Sequence, residues 1–93
     1  MKIKIEVRSG AYDTPYGGEQ TLAAEQGEYQ LSEIFRLPFF RLIIDEVIDG
    51  AVCFRLMEGG EAHYFVLEEI GETASFERET SIGFDEFVFT LLA

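Results

Sequence analysis

The sequence has no tryptophan, one cysteine, two prolines and one histidine. A lone Cys53 excludes a disulfide within the chain, which fits a reducing compartment. The longest apolar runs, such as Leu42-Ile43-Ile44, are far shorter than the roughly 20 residues that a membrane-spanning helix needs. No continuous apolar segment of about 7–15 residues follows the basic start, so we predict no signal peptide and expect a cytoplasmic location.

Basic residues are few. The chain has seven lysines and arginines and 18 aspartates and glutamates, which gives a net charge of −11. From Met57 to Ala93 there are nine acids and a single base, Arg78. Such a surface repels phosphates and anionic lipid headgroups, so we expect neither nucleic acid nor membrane as a partner. The charge is explained most simply by solubility, and a basic partner protein is the alternative.

Catalytic and metal-binding motifs are missing as well. His63 opens a predicted strand, and no serine stands in a nucleophile-elbow context, so we predict no catalytic residue and no enzyme activity. The sequence contains no EF-hand loop. The glycine pairs Gly17-Gly18 and Gly59-Gly60 are each followed by an acid that would repel a phosphate. We therefore predict no metal and no cofactor.

What the sequence does have is a strongly apolar and aromatic composition. Hydrophobic residues make up 47% and charged residues 27%, which is typical of a globular chain. Nine phenylalanines and four tyrosines favour strands around an aromatic core. The length suits one modest core, so we predict a single domain over residues 1–93.

Both termini are predicted to be strands. Residues 2–8 alternate with Ile3, Ile5 and Val7 on one face, and the last stretch alternates with Phe87, Phe89 and Leu91 inward. The final stretch from Phe87 carries no charge, which favours a central position beside strand 73–79 or the first strand. Further strands are predicted at residues 62–69, with Phe65 and Leu67 inward, and at residues 73–79, with Ala74 and Phe76 inward; a weaker strand is predicted at residues 21–25.

A hairpin is predicted over residues 39–57, with its turn at Asp49-Gly50. A two-residue turn would place Val47 opposite Val52 and mix charge into both faces. A three-residue turn with Gly50 as a bulge pairs Val47 with Ala51, and we prefer it because register follows the buried face. One face then holds Phe40, Leu42, Ile44, Val52, Phe54 and Leu56.

These patterns predict an all-β fold. We expect a small antiparallel β-sandwich, or a partly open barrel, of six to seven strands. Ser32 is a possible helix cap and Pro38 disfavours continuation, so at most one short helix is expected near residues 32–37.

The stretch of residues 9–20 is predicted to be a corner between two strands. The residues Thr14-Pro15-Tyr16-Gly17 suit a type I turn, and Gly17-Gly18 would let the chain reverse again. Tyr12 and Tyr16 would cover the end of the core or, alternatively, form a binding platform. The structural role is favoured because nothing polar in the loop is arranged for a defined ligand.

We expect a non-enzymatic protein-interaction module whose partner is another protein or a second copy of the chain. The second face of the central hairpin keeps Phe39, Ile43, Val47 and Met57 among its charges, and together with Tyr12 and Tyr16 these are the candidate binding residues. A face this apolar is either covered by residues 31–38 or used by a partner, and coverage would remove the best interface.

Two other functions remain open from the sequence. One is a small-ligand or calcium-dependent carbohydrate-binding domain that uses the two tyrosines. Its acidic residues would be Asp13, Asp45, Asp49, Asp85 and Glu86. The other, less favoured, is an acidic inhibitor that occupies a cationic groove of its partner; carboxylates clustered on one face would support it.

Overall fold

Eight β-strands form the described part of the chain. The structure is a computed structural model that describes residues 1–11, 14–31, 40–80 and 83–93, and it leaves the side chains of residues 9–11, 14–16 and 80 undescribed. The strands are β1 (Lys2–Ala11), β2 (Thr14–Ala23), β3 (Gly27–Gln30), β4 (Phe40–Ile48), β5 (Ala51–Glu58), β6 (Glu61–Leu67), β7 (Thr73–Thr80) and β8 (Gly83–Leu92).

The strands form two antiparallel sheets of four strands each. The first sheet has the order β2-β1-β8-β7 and the second has the order β3-β4-β5-β6. The predicted all-β sandwich is therefore confirmed, with eight strands where six to seven were expected. The four-residue β3 was not predicted, and the helix predicted near residues 32–37 lies outside the described residues.

The core lies between the inner faces of the two sheets, and aromatic rings join them. Phe40 of the second sheet packs on Phe87 of the first with ring centroids 4.8 Å apart, and Phe54 packs on Phe89 at 4.9 Å. Such ring pairs add directional contact to the burial of apolar area. The buried apolar side chains are Ile3, Ile5, Val7, Leu31, Phe40, Leu42, Ile44, Val52, Phe54, Leu56, Leu67, Phe87, Phe89 and Leu91.

The final strand β8 is central, as predicted, because it pairs with β1 on one side and β7 on the other. β1 is also internal, so its outward bases lie beside residues of β2 and β8. Lys4 lies 3.2 Å from Glu6 and 3.6 Å from Glu19. The hydrogen bond and charge of Glu6, with the charge of Glu19, raise the pKa of Lys4.

The predicted register of the central hairpin is wrong near its turn. Val47 pairs with Val52 across a two-residue turn in which Asp49 and Gly50 both have positive φ, 50° and 82°. Two positive φ angles are typical of the type I′ turn, whose twist matches that of the flanking strands. The irregularity lies instead between Ile44 and Glu46.

This β-bulge at Asp45 explains why the predicted core face is nevertheless confirmed. The extra residue restores the alternation, so that Ile44 pairs with Phe54 and Leu42 with Leu56, all of them buried. Asp45 would otherwise have entered the buried face. At the bulge it instead accepts hydrogen bonds from Arg55.

The first hairpin also differs from the predicted corner. Residues 14–17 lie within β2, where Gly17 pairs with Arg8 and Gly18 with Val7, so the type I turn predicted there is wrong. Continued pairing satisfies more backbone hydrogen-bonding groups than an early reversal would. The link between the two strands is Tyr12-Asp13, which lies outside the described residues.

We expect Gly50→Ala to lower the free energy of unfolding by about 1–2 kcal/mol, because a Cβ disfavours left-handed backbone. An added Cβ at Gly50 meets nothing within 4 Å, so the cost would come from the backbone alone. Gly60→Ala is the matched control, since that turn residue is equally open and has no positive φ. Urea unfolding of both variants measures the difference. Equal stabilities would contradict the turn geometry.

Candidate functional site

The outer faces of the two sheets differ in character. The outer face of the first sheet carries charged side chains across β2, β1, β8 and β7, with acids and bases interspersed. They are Lys2, Lys4, Glu6, Arg8, Glu19, Glu77, Glu79 and Glu86. A face of this composition is the ordinary solvated side of an antiparallel sheet.

The outer face of the second sheet is more apolar. Tyr64, in the middle of β6, is 73% exposed, and Val66, near the end of the same strand, is 48% exposed. In the neighbouring strand Val66 pairs with Cys53. We call the following five residues the outer patch: Ile43, Cys53, Met57, Tyr64 and Val66.

The charges around the outer patch are paired. The Arg55 guanidinium contacts both carboxylate oxygens of Asp45 at 3.0–3.1 Å, and the Arg41 guanidinium lies 2.9 Å from Glu28. The hydrogen bond from Arg55 to Asp45 is the main reason that the pKa of Arg55 is raised. Because these charges are already matched, the face offers apolar surface with little uncompensated charge.

β6 is also an edge strand. It stands last in the order of the second sheet, so among the described strands of that sheet only β5 pairs with it. An unprotected edge presents backbone donors and acceptors that can pair with another chain. Exposed acids flank it, Glu61 at its start and Glu68 and Glu69 just beyond its end.

Two of the predicted binding residues belong to the outer patch, and a third lies on the opposite face of the sheet. Ile43 and Met57 lie on this face, opposite Arg55 and Arg41. Val47 pairs with the buried Val52, so the bulge puts it on the inner side, 38% exposed at the hairpin end.

The remaining predicted binding residues lie outside what the structure describes. Phe39 and Tyr12 fall among the undescribed residues. Tyr16 lies in β2 opposite Ser9, but its side chain is not described.

Sequence reasoning missed Tyr64 and Val66. The signal was present, because a strand over residues 62–69 with Phe65 and Leu67 inward places Tyr64 and Val66 outward. Leu67 is buried and Phe65 packs against the core, as predicted. The order of strands in the sheet, which makes this strand an edge, could not be read from the alternation.

The carboxylates proposed for calcium do not meet among the described residues. Asp45 is occupied by Arg55, and Asp49 is exposed in the β4–β5 turn at one end of the sandwich. Asp85 lies near the other end, 6% exposed and held by Arg78. Glu86 follows it on the outer face of β8, and Asp13 lies outside the described residues.

Arg78 joins the two sheets at the end that contains Asp85. Its Nε donates to Asp85 Oδ2 at 2.6 Å, and its Nη1 lies 3.1 Å from Glu58 Oε1 on the second sheet. The guanidinium also lies 4.8 Å from the centre of the Phe40 ring. Burial alone would lower the pKa of Arg78, but the hydrogen bonds and charges of Asp85 and Glu58 outweigh it and raise the pKa.

Metal-ligating side chains come together at the same end. In the described part of the chain, one donor atom from each of Glu58, Glu61 and His63 lies within 4.8 Å of the others, and no other group of three such residues is this close. The exposed acids are otherwise spread over both sheets and the turns.

Comparison with protein-family models, with curated proteins and with solved structures gives no significant match. Within the described ranges, no helix has the length and apolar character to cross a membrane. The case for a function therefore rests on the surface and side-chain geometry of this chain.

Proposed function

We propose that the chain is a non-enzymatic protein-interaction module that binds another protein at the outer patch. The observation that carries the proposal is Tyr64, which is 73% exposed in the middle of a strand. Tyrosine supplies a large contact area at a low cost in side-chain entropy and is enriched at the centres of interfaces. Val66, Cys53, Met57 and Ile43 extend the apolar surface around it.

The proposed partner is an extended segment that lies along β6. Strand addition gives affinity through main-chain hydrogen bonds, and alternate side chains give specificity. Alternate apolar residues of the segment would contact Tyr64 and Val66. Lysine or arginine at its remaining positions would face the exposed acids Glu68 and Glu69.

Charge favours a different protein over a second copy of this chain. Each copy carries a net charge of −11, so two copies repel one another, most strongly at low salt. A basic segment is attracted by the same field. We therefore assign the outer patch to a basic partner.

A synthetic peptide of alternating valine and lysine residues, long enough to pair with all of β6, is the probe. We expect Tyr64→Ser with Val66→Ser to weaken its binding more than about tenfold, since the variant removes apolar contact without changing charge. Phe84→Ser is the matched control, because Phe84 is 39% exposed on the outer face of the first sheet. Fluorescence anisotropy of the labelled peptide gives the affinities.

A control peptide of the same composition, with all valines before all lysines, has the same charge but lacks the alternation. Equal binding of both peptides, or equal weakening by Phe84→Ser, would mean that the outer patch is not the binding surface.

The oligomeric state tests whether the outer patch binds a different protein or a second copy of the chain. We expect a monomer by sedimentation equilibrium at physiological salt, since charge disfavours self-pairing. If the protein is a dimer and the double variant Ile43→Glu, Tyr64→Glu is a monomer, the outer patch is the binding surface but the partner is a second copy of the chain. A dimer that persists in that variant would place self-association elsewhere.

A further inference from the structure

We propose that Glu58, Glu61 and His63 form a binding site for a divalent transition metal ion, with Zn²⁺ as the best match. The three residues surround the turn between β5 and β6. Glu58 and Glu61 are direct cross-strand partners on either side of Gly59-Gly60, and His63 follows two residues later on the same face. One donor atom from each lies within 4.8 Å of the other two.

Two of the donor groups present polar atoms that lack a partner. Glu58 Oε2 and His63 Nε2 are both inaccessible to solvent, and neither forms a hydrogen bond with any described residue. Buried polar atoms in native proteins are nearly always satisfied, by protein groups, water or an ion. An ion coordinated by both atoms would satisfy them together.

Neighbouring residues hold these two side chains in place. The imidazole of His63 packs on the ring of Phe76, with centroids 4.2 Å apart. Arg78 Nη1 engages the other oxygen of Glu58, Oε1, at 3.1 Å, which leaves Oε2 as the available ligand. Such outer contacts orient a ligand before the metal arrives. Glu61 is the exposed member of the three.

The donor set indicates the class of metal. One imidazole nitrogen and two carboxylate oxygens suit Zn²⁺, which binds both at about 2.0–2.2 Å and often keeps a water as a further ligand. Calcium and magnesium prefer oxygen ligands alone. The net charge of −11 attracts cations to the chain.

The experiment is a titration of the full chain with zinc chloride, monitored by calorimetry and by NMR. His63 is the only histidine, so its imidazole signals report the site without ambiguity. We expect one equivalent of zinc to bind, the His63 ring signals to shift, and calcium chloride to leave them unchanged. Co²⁺ would give the visible absorption of a site with nitrogen and oxygen ligands.

Two variants and one control locate the binding. Glu61→Gln removes an exposed ligand without disturbing the core, and we expect it and His63→Gln each to weaken zinc binding more than about tenfold. Glu79→Gln removes the same charge from the outer face of β7, and we expect no effect. Absence of binding, stronger binding of calcium than of zinc, or equal affinities in all four proteins would overturn the proposal.

Discussion

Replacing Phe54 by alanine is expected to lower the free energy of unfolding by about 3–5 kcal/mol, because it removes a buried ring and leaves a cavity. Phe54 is 1% exposed, and its ring lies 5.4 Å from that of Phe65 and 4.9 Å from that of Phe89. It therefore contacts both its own sheet and the opposite one. Urea unfolding followed by circular dichroism measures the loss.

Tyr64→Ala is the control for Phe54→Ala. It deletes an aromatic ring from the strand next to Phe54, but on the outer face, so we expect a cost below about 1 kcal/mol. Similar losses in the two variants would mean that the inner and outer faces of the second sheet are wrongly assigned.

Replacing Arg78 by methionine is expected to lower the free energy of unfolding by about 2–4 kcal/mol. Loss of one partner from a buried ion pair costs about 3–5 kcal/mol, and we expect less here because 32% of the Arg78 side chain is exposed. The Asp85 side chain is only 8% exposed and loses its guanidinium partner, while Glu58 loses its contact across the sheets. Thermal or urea unfolding above pH 6 measures the change.

Arg41→Met gives the comparison for Arg78→Met. Arg41 pairs with Glu28 at 2.9 Å, but both side chains are more than a third exposed, so we expect a loss below about 1 kcal/mol. Adding Asp85→Asn to Arg78→Met should recover part of the stability, because the buried carboxylate charge disappears. Equal losses from Arg78→Met and Arg41→Met would contradict the bridging role of Arg78.

The sandwich could be predicted from the sequence because its strands alternate. In β1 and β8 every residue predicted to point inward is buried. The absence of charge after Phe87 correctly indicated a central strand. β3 was missed because four residues, one of them a glycine, carry too little pattern.

The error in the central hairpin has a different cause. Two placements of one extra residue, at Gly50 or at Asp45, give the same buried face. Alternation alone cannot choose between them, since it constrains only the residues beyond the bulge. The choice matters for the surface, because it moves Val47 away from Ile43.

The candidate sites depend on contacts between residues of different strands, which cannot be predicted from the sequence pattern. The pairing of Glu58 with Glu61 follows from the glycine turn, but the packing of His63 on Phe76 joins residues of different sheets. The exposure of Tyr64 likewise depends on β6 being an edge strand. Residue type and spacing suggest such groups, and only the strand order brings them together.

The central functional claim is that the outer patch and the edge of β6 bind an extended basic segment. The most direct test is NMR mapping of backbone amide shifts when the alternating valine and lysine peptide is added to isotope-labelled protein. We predict the largest shifts along β6 and at Cys53 and Met57 of β5, with β2 and β7 unchanged. Shifts concentrated on the outer face of the first sheet, or no saturable shifts at all, would contradict the account.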